Sequence, residues 1–285
     1  MSRLRIATRA STLALAQSRW VAERLTEAHP ELEVELVEIT TTGDADRISS
    51  VTTLTEVGAF VRSVQVAVLD GSADLAVHSC KDLPVSGPEE LVAFFPEREV
   101  PWDVMCGSTV ADLRPGARVG TGSPRRTAQL AAMRPDLEID GIRGNVETRL
   151  AKVDSREYDA IVLAEAGLRR IGLEGAISER FTVERMVPAP AQGALAVEAR
   201  QESEAAELLA SIDHPPTRTE VEAERSLLAR TGAGCRAALG ALAVTSGEDV
   251  EMHGFVEDAD GPRRANVVGS TAEIASRRLQ EELGL

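Results

Sequence analysis

A lysine and an aspartate stand side by side where an apolar run of the sequence ends. Residues 75–85 read Leu-Ala-Val-His-Ser-Cys-Lys-Asp-Leu-Pro-Val, and Lys81 is one of only two lysines in the chain. A carboxylate where a central strand ends can orient an N–H group or an ammonium, and it can move a proton if its surroundings raise its pKa. Lysine adds a compact charge in place of the planar fork of arginine. The alternative is that Asp82 caps a helix and that Lys81 is an exposed neighbour.

A second motif brings hydroxyl and guanidinium groups to the start of a predicted helix. Residues 120–126 read Gly-Thr-Gly-Ser-Pro-Arg-Arg. Arg125 occupies the third glycine position of the dinucleotide motif GxGxxG, so we reject that interpretation. Pro124 suits the first turn of a helix, and the free amides there, with the hydroxyls of Thr121 and Ser123 and the two arginines, favour a carboxylate or a phosphate. The alternative is a solvated helix start with surface arginines.

Further donors follow other predicted strands. Arg9 and Ser11 come after the first strand, and residues 143–145, Arg-Gly-Asn, join a later strand to a helix. Ligands of open α/β sheets bind at such strand ends, where helix N-termini and loop amides converge. Additional cations lie at or near later strand ends, although each alone would be read as a surface residue: Arg143, Arg149, Arg169 and Arg170. Together these segments predict an anion-binding site.

One of the three cysteines lies in a glycine-rich turn. Cys235 is in the middle of residues 231–237, Thr-Gly-Ala-Gly-Cys-Arg-Ala. Glycines around a thiol leave room for a large group to be attached, and Arg236 could stabilise a thiolate. The alternative is a buried structural cysteine, which is how we interpret Cys80 and Cys106 inside their apolar runs. No histidine or cysteine has metal-ligand spacing, so no metal site is predicted.

The elements that must position these residues alternate along the chain, which predicts an α/β fold with largely parallel sheets. The predicted strands are residues 4–8, 32–40, 73–77, 91–95, 117–120, 137–142 and 160–164. The predicted helices run from a cap at Ser11 or Thr12 to residues 29–30, and over 58–69, 125–133, 146–153, 217–230 and 272–283, with a loop over 41–55 and several short strands near the C-terminus. We find no internal repeat.

Two proline-containing segments suggest that the chain leaves its first domain and returns. Residues 96–101 have prolines at both ends with charges between them, and residues 187–193 contain a Pro-Ala-Pro pair. Such composition is typical of connections between domains. A third unit is predicted to start at residues 213–216.

Composition excludes several functional classes. The chain has 285 residues, with 31 basic and 46 acidic side chains, for a net charge of −15. Nonspecific binding to nucleic acids or to anionic membranes needs a positive field, so we expect neither partner. The odd, widely spaced cysteines argue against a disulfide framework, and we see neither an apolar signal core nor a membrane span. We expect a soluble cytoplasmic protein.

These segments, taken together and in order, resemble the porphobilinogen deaminase family. The resemblance rests on residues 5–11, 73–84, 119–126, 142–150, 158–164, 166–172, 188–198 and 234–235. It implies three α/β domains. Two would be like the halves of a periplasmic-binding-protein fold, over residues 1–96 with 193–212 and over 97–192, and a smaller C-terminal domain over 213–285 would carry the cofactor cysteine.

The resemblance also implies an activity. In that family, one dipyrromethane cofactor per chain is attached by a thioether to the cysteine that matches Cys235. Four porphobilinogen molecules are added in turn, each losing ammonia, and hydroxymethylbilane is released by hydrolysis. The aspartate that matches Asp82 is the catalytic residue. We expect a monomer with no nucleic-acid or membrane partner, which can make a transient contact with the next enzyme of the pathway.

The remaining site residues follow from the same resemblance. Cofactor contacts are implied, besides Cys235, for Ser79, Lys81, Thr121, Ser123, Arg125, Arg126 and Gly144. Substrate contacts are implied for Arg9, Ser11, Arg143, Arg149, Arg170 and Gln192. Every pyrrole carries an acetate and a propionate, so an acidic protein must hold the growing product with a local cluster of arginines.

Two features depart from the family, and one other function fits much of the sequence. A lysine- and glycine-rich loop usually precedes the helix of Phe60, whereas this chain has Glu56 and no lysine there, so the resemblance does not say how residues 41–59 cover the site. Cys80 stands where many relatives have methionine, a change that packing tolerates. The alternative function is a non-catalytic, receptor-like anion-binding module over the first 212 residues, against which Asp82 and Cys235 argue.

Overall fold

The computed structural model describes residues 3–39, 53–231 and 238–285, with only the backbone described for residues 53–60. The strands are β1 Arg3–Thr8, β2 Glu33–Glu38, β3 Leu75–Ser79, β4 Leu91–Phe94, β5 Asp103–Cys106, β6 Arg118–Gly120, β7 Glu138–Asp140, β8 Ala160–Ala164, β9 Ile177–Arg180, β10 Leu195–Arg200, β11 Ala238–Ser246, β12 Asp249–Asp258 and β13 Gly261–Gly269. The helices are α1 Thr12–Ala28, α2 Thr53–Leu69, α3 Pro124–Met133, α4 Val146–Asp154, α5 Glu165–Arg170, α6 Glu204–Leu209, α7 Pro215–Arg230 and α8 Ala272–Leu283. Short 3-10 turns cover Cys80–Asp82 and Glu174–Ala176.

The described strands form three sheets. Sheet A has the order β2-β1-β3-β10-β4, sheet B the order β7-β6-β8-β5-β9, and sheet C the order β11-β12-β13. In sheet A, β1 runs parallel to β2 and β3, while β10 runs antiparallel to β3 and β4. In sheet B, β6 runs parallel to β7 and β8, while β5 runs antiparallel to β8 and β9. The predicted α/β class is confirmed, and sheets A and B share one topology. The prediction of largely parallel sheets was wrong, because each of these two sheets has two antiparallel pairings and sheet C is antiparallel throughout.

The core of sheet A is divided between its two faces by strand alternation. Leu75 and Val77 of β3 pack with α1 residues on one face, whereas Ala76 packs with α2 residues on the other. Because successive side chains of a strand point to opposite faces, a continuous apolar run is what a strand covered on both sides requires. This explains why the run before Lys81 shows no alternation.

Contacts divide the chain into two compact units. Unit 1 comprises Met1–Arg98 and Ala194–Arg218, and unit 2 comprises Glu99–Gly193 and Thr219–Leu285. Sheets B and C therefore both belong to unit 2. The finer division into three domains, with boundaries near residues 96, 193 and 213, stays a prediction.

Sheet C is an antiparallel meander covered on one face by α8. Met252 of β12 and Leu279 of α8 lie in one buried cluster, and Gly254 allows the close approach, because a Cβ there would lie 2.8 Å from Leu279 Cδ1. The strands have 9, 10 and 9 residues, so the prediction of several short strands was wrong. A three-stranded sheet needs an apolar face packed against another element to be stable, and α8 provides that packing here.

Several predicted boundaries were also wrong. Helix α2 begins at Thr53, so the predicted loop over 41–55 ends earlier, and residues 40–52 lie outside the described part. Strand β3 runs to Ser79 instead of ending at Val77. Strands β5, β9 and β10 and helices α5 and α6 were not predicted. All five of these elements have only four to six residues, too few for a period to stand out, and β10 follows directly after the return segment.

No helix among the described residues has the length and apolar character that crossing a membrane would need.

Candidate functional site

The predicted catalytic acid lies on a short turn at the carboxyl end of β3, in unit 1. The 3-10 turn Cys80–Asp82 follows directly, with the Leu83 N–H donating to Cys80 O at 3.1 Å. The Cys80 N–H donates to Ala194 O at 3.0 Å, which ties the turn to the residue before β10. Cys80 is fully buried while Asp82 is exposed. The turn is thus anchored through its cysteine and presents its carboxylate to solvent.

Arg9 and Ser11 lie at the same edge of sheet A, because β1 and β3 are parallel and both end there. Ser11 is the N-cap of α1, and its Oγ accepts the Ala14 N–H at 3.3 Å. One turn further along α1, the buried Gln17 donates from Nε2 to Ser79 Oγ at 2.8 Å. Sequence reasoning missed Gln17, although a glutamine on the apolar face of a predicted helix is a signal that it has a buried polar partner.

The arginine pair of unit 2 surrounds one buried aspartate. Arg125 Nη1 lies 2.6 Å from Asp103 Oδ2, and Arg126 Nε donates to Asp103 Oδ1 at 2.9 Å. Arg125 Nη1 also donates to Val187 O at 2.7 Å, and Arg126 Nη1 to Val162 O at 2.9 Å. Asp103 is fully buried, and the arginines are 3% and 7% exposed. The alternative of surface arginines is therefore wrong for both residues.

The electrostatics of this cluster leave an excess of positive charge. Burial would raise the pKa of Asp103, but the charges of Arg125 and Arg126 and the hydrogen bonds from Arg125 and Gln192 hold that pKa well below its usual value of 3.8. One carboxylate therefore faces two guanidinium groups. Arg125 Nε is buried and has no hydrogen-bond partner among the described residues. A buried cation with an unused donor is suited to receive an anion.

Thr121 and Ser123 shape the loop between β6 and α3. Thr121 Oγ1 accepts the Ser123 N–H at 3.2 Å, and Ser123, the N-cap of α3, accepts the Arg126 N–H at 3.4 Å. Pro124 occupies the first helical turn, as predicted. These hydroxyls thus hold the backbone that carries the arginine pair.

The loop after β7 lies at the same edge of sheet B, since β6 and β7 are parallel. Arg143 is exposed, and Arg149 donates from Nε to Gly144 O at 2.7 Å. Gly144 has φ +113°, and a Cβ there would lie 2.7 Å from Thr148 Cγ2, so a side chain fits poorly. Asn145 caps α4 by accepting the Thr148 N–H. Among the predicted cations of unit 2, Arg143 and Arg169 are thus the exposed ones.

Arg170, at the end of α5, contacts the segment of residues 187–193 that leads out of unit 2, and Gln192 belongs to it. Arg170 Nη2 donates to Gly193 O at 2.6 Å, and burial lowers the pKa of Arg170 to about 10, opposed by the charge of Glu99. Gln192 is fully buried and donates from Nε2 to Pro101 O at 2.7 Å and to Asp103 Oδ1 at 3.1 Å. The Gln192 amide is therefore a partner of Asp103 in addition to Arg125 and Arg126.

The structure places the predicted residues in two groups, each within its own unit. At or beside the edge of sheet A lie Arg9, Ser11, Ser79, Lys81 and Asp82. At or beside the edge of sheet B lie Thr121, Ser123, Arg125, Arg126, Arg143, Gly144, Arg149, Arg170 and Gln192. Cys235 lies outside the described residues, and the roles of all these residues stay predictions.

Asp103 is the other functional candidate that sequence reasoning missed. Its signal was a single acid at the head of the apolar run Asp-Val-Met-Cys. Among the described residues, no group of three histidine, cysteine or acidic side chains is arranged to hold a metal ion.

Comparison with known proteins identifies the family of the chain. The family model "Porphobilinogen deaminase, dipyromethane cofactor binding domain" matches residues 4–208, and the model "Porphobilinogen deaminase, C-terminal domain" matches residues 218–284. Porphobilinogen deaminase of Roseiflexus castenholzii is 45% identical over 288 residues, covering 98% of this chain and 95% of that protein. Porphobilinogen deaminase of Thermobifida fusca is 50% identical over 264 residues, covering 90% and 82%.

Solved structures give a weaker likeness. The methionine binding protein MetQ is 12% identical, with a TM-score of 0.43, over 82% of this chain and 98% of that chain. A likeness at that score says nothing about what this chain binds. The family models and the sequence relatives, which cover nearly the whole length, decide the assignment. The chain belongs to the porphobilinogen deaminase family.

Proposed function

We propose that this chain is a hydroxymethylbilane synthase, a transferase of tetrapyrrole biosynthesis. It condenses four porphobilinogen molecules head to tail onto a dipyrromethane primer held by Cys235, releases ammonia at each addition, and hydrolyses off hydroxymethylbilane. The observation that carries the proposal is the match of both family domains, over residues 4–208 and 218–284.

The donor set of unit 2 fits a primer that carries carboxylates. Asp103 neutralises one of the two buried guanidinium groups, and Arg125 Nε has no partner among the described residues. An anionic group is the ligand that such a cluster favours. When bound, the dipyrromethane supplies the pyrrole terminus to which porphobilinogen is joined. We assign its carboxylates to Arg125 and Arg126, with Thr121 and Ser123 shaping their loop.

Asp82 is the proposed catalytic residue. Loss of ammonia from porphobilinogen leaves a cationic azafulvenium, and a carboxylate that accepts its pyrrole N–H stabilises the developing positive charge. Asp82 is exposed on a turn whose preceding residue, Lys81, carries a cation that can bind a substrate carboxylate. Proton transfer to the leaving amine and from the pyrrole carbon is the second task of the same carboxyl group.

The other cations hold the side chains of the substrate and of the growing product. Arg9, Arg143, Arg149 and Arg170 are the proposed partners of acetate and propionate groups. Arg143 is exposed, so it can meet a new carboxylate without first losing a buried partner. The receptor-like alternative is not favoured, because the family relatives are named as deaminases along the full length of the chain.

Intact-mass measurement of the purified protein tests the proposal. The wild type is expected to carry the mass of one covalent dipyrromethane, and Cys235→Ser is expected to lack it, because a serine hydroxyl cannot form the thioether. Cys106→Ser serves as the matched control, since that thiol is buried and burial raises its pKa to about 11. An unmodified, folded wild type would refute the proposed function.

We further propose a monomeric, cytoplasmic enzyme that hands its product to the next enzyme of the pathway in a transient contact. Light scattering coupled to size-exclusion chromatography measures the molar mass and so tests whether the protein is a monomer. A mass of two chains at micromolar concentration would contradict it.

A further inference from the structure

A buried carboxylate outside the proposed site connects helix α7 to the segment that carries Gln192. Glu224 is fully buried. Its Oε1 accepts the Ala243 N–H at 2.8 Å, and its Oε2 accepts the Ala191 N–H at 2.5 Å. A charged side chain is retained in a core only when hydrogen bonds satisfy it, and here two backbone amides from different segments do so.

The residue that Glu224 holds has an unfavourable backbone. Ala191 is fully buried and has φ +61°, in the left-handed region that residues with a Cβ seldom occupy. Such a conformation persists only where the surroundings impose it. The hydrogen bond from the Ala191 N–H to Glu224 is one restraint that imposes it.

The conformation of Ala191 determines where the next side chain points. Gln192 follows directly, and its amide reaches Pro101 O and Asp103 Oδ1. Gly193 then passes so close to Glu99 that a Cβ would lie 2.3 Å from Glu99 O. With Gly193 confined in this way, a change in the torsion angles of Ala191 must be absorbed at Gln192.

Gln192 is in turn a partner of the acid between the two arginines. Asp103 Oδ1 receives the Gln192 amide and Arg126 Nε, while Asp103 Oδ2 receives Arg125 Nη1. A short sequence of contacts therefore runs from Glu224 through Ala191 and Gln192 to the carboxylate that orients the arginine pair.

We propose that Glu224 is a positioning residue for the arginine pair: it holds Ala191 in its left-handed conformation and so keeps Gln192 on Asp103. The inference rests on the proposed function, because the arginine pair matters only if it binds carboxylates. It predicts that a side chain outside the site sets the geometry of carboxylate binding.

Glu224→Gln is the direct test, because glutamine keeps the size of the side chain but has one acceptor oxygen. Either the Ala191 N–H or the Ala243 N–H then faces an NH2 group and loses its bond. The matched control is Glu220→Gln, one turn earlier on α7, where the carboxylate accepts from Thr245 N at 3.1 Å and Thr245 Oγ1 at 3.0 Å. Both variants remove a carboxylate that links α7 to β11, and Glu224→Gln also affects Ala191.

Three readouts are compared between the two variants. They are the fraction of chains that carry the primer by intact mass, kcat and KM for porphobilinogen, and the midpoint of thermal unfolding. We expect Glu224→Gln to lower kcat/KM by on the order of a hundredfold, which is what a misplacement of about 1 Å can cost, and to lower the primer-carrying fraction. Glu220→Gln is expected to lower the unfolding midpoint while leaving kcat/KM within about twofold of wild type.

A double-mutant cycle separates positioning from loss of stability. If Glu224 acts through Gln192, then adding Glu224→Gln to Gln192→Ala lowers kcat/KM by less than about twofold. The inference is overturned if the losses of kcat/KM in the two single variants multiply in the double variant. It is also overturned if Glu224→Gln and Glu220→Gln lower kcat/KM equally.

Should Glu224→Gln fail to fold, it is combined with Ala191→Gly, since glycine adopts the left-handed conformation without restraint. Recovery of primer loading and of kcat/KM in that background supports the inference, and a folded double variant without recovery refutes it. A wild type that carries no primer refutes the proposed function instead, so the two failures are distinguishable.

Discussion

Two aspartates of this chain occupy opposite environments. Asp82 is exposed at the end of a turn, whereas Asp103 is fully buried between two guanidinium groups. An exposed carboxylate can approach a reacting molecule, while a buried one with three partners is confined to holding them. The placement therefore supports a chemical task for Asp82 and an orienting task for Asp103.

Replacing Asp82 by asparagine is expected to preserve the fold and the covalent primer and to slow turnover by orders of magnitude. The amide has the size of the carboxylate but neither its charge nor its ability to move a proton. Steady-state kinetics with porphobilinogen, together with intact mass and circular dichroism, measure the three properties. Turnover within about threefold of wild type would remove Asp82 from the mechanism.

Asp103→Asn is expected to cost about 3–5 kcal/mol of unfolding free energy at neutral pH, because two buried guanidinium groups lose their counter-charge. Since the pKa of Asp103 is lower in the folded state, the contribution of this acid is present above pH 3.8 and is lost as pH falls towards the folded value. The difference between wild type and variant should therefore shrink below pH 3.8.

Urea unfolding at several pH values measures that difference. Asp140→Asn is the matched control, because Asp140 pairs with Arg118 at the half-exposed surface and should contribute less than about 1 kcal/mol. A difference between Asp103→Asn and wild type that grows in acid would contradict the ion-pair account.

At the scale of elements, the site depends on loops that follow parallel strands. Strands β1 and β3 bring Arg9 and Asp82 to one edge of sheet A, and β6 and β7 do the same for Arg126 and Arg143 in sheet B. Parallel neighbours end at a common edge, so residues distant in sequence become neighbours in space. The return segment of residues 187–193 also contributes to sheet B's edge, because its Gln192 amide donates to Asp103.

Gly193→Ala tests how tightly that return segment is confined. Gly193 has φ +90° and Gly116 has φ +71°, but a Cβ at Gly193 would lie 2.3 Å from Glu99 O whereas nothing lies within 4 Å at Gly116. Both alanine variants bear the backbone cost of about 1–2 kcal/mol, and only Gly193→Ala adds a clash with backbone. Unfolding free energies should therefore fall further for Gly193→Ala. Equal losses would show that the segment can move away.

At the scale of the whole molecule, an acidic protein contains a locally cationic site. The net charge is −15, yet the predicted contacts with carboxylates come mainly from arginines. Like charges spread over a surface oppose the compact state, while a local cluster attracts anionic substrates. Salt screens both effects, so it should stabilise the folded state and weaken the attraction of anionic substrates.

Raising KCl from about 0.1 to 1 M, which shortens the screening length from about 10 to 3 Å, is therefore expected to raise the unfolding midpoint and lower kcat/KM for porphobilinogen. Thermal unfolding and initial rates are measured on the same samples, with sucrose as an uncharged control. A midpoint that falls with KCl, or a kcat/KM that does not change, would contradict this balance of charges.

The sequence by itself determined the α/β class, a helix cap at Ser11 or Thr12, the place of Pro124 in the first turn of a helix, and the candidate residues at strand ends. These features depend on local chemistry: a hydroxyl before a helix satisfies a free amide wherever the rest of the chain lies. The ordered motifs also indicated the family, which the family models over residues 4–208 and 218–284 confirm.

Only the tertiary structure decided which cations are already paired. Arg125 and Arg143 look alike in sequence, yet Arg125 is buried against Asp103 and Arg143 is exposed. Likewise, the hydrogen bond from the Gln17 amide to Ser79 joins residues 62 positions apart. The hydrogen bond from the Ala191 N–H to Glu224 joins residues 33 positions apart. Burial and pairing arise when distant segments pack together and exclude water, and no local pattern of residues contains that information.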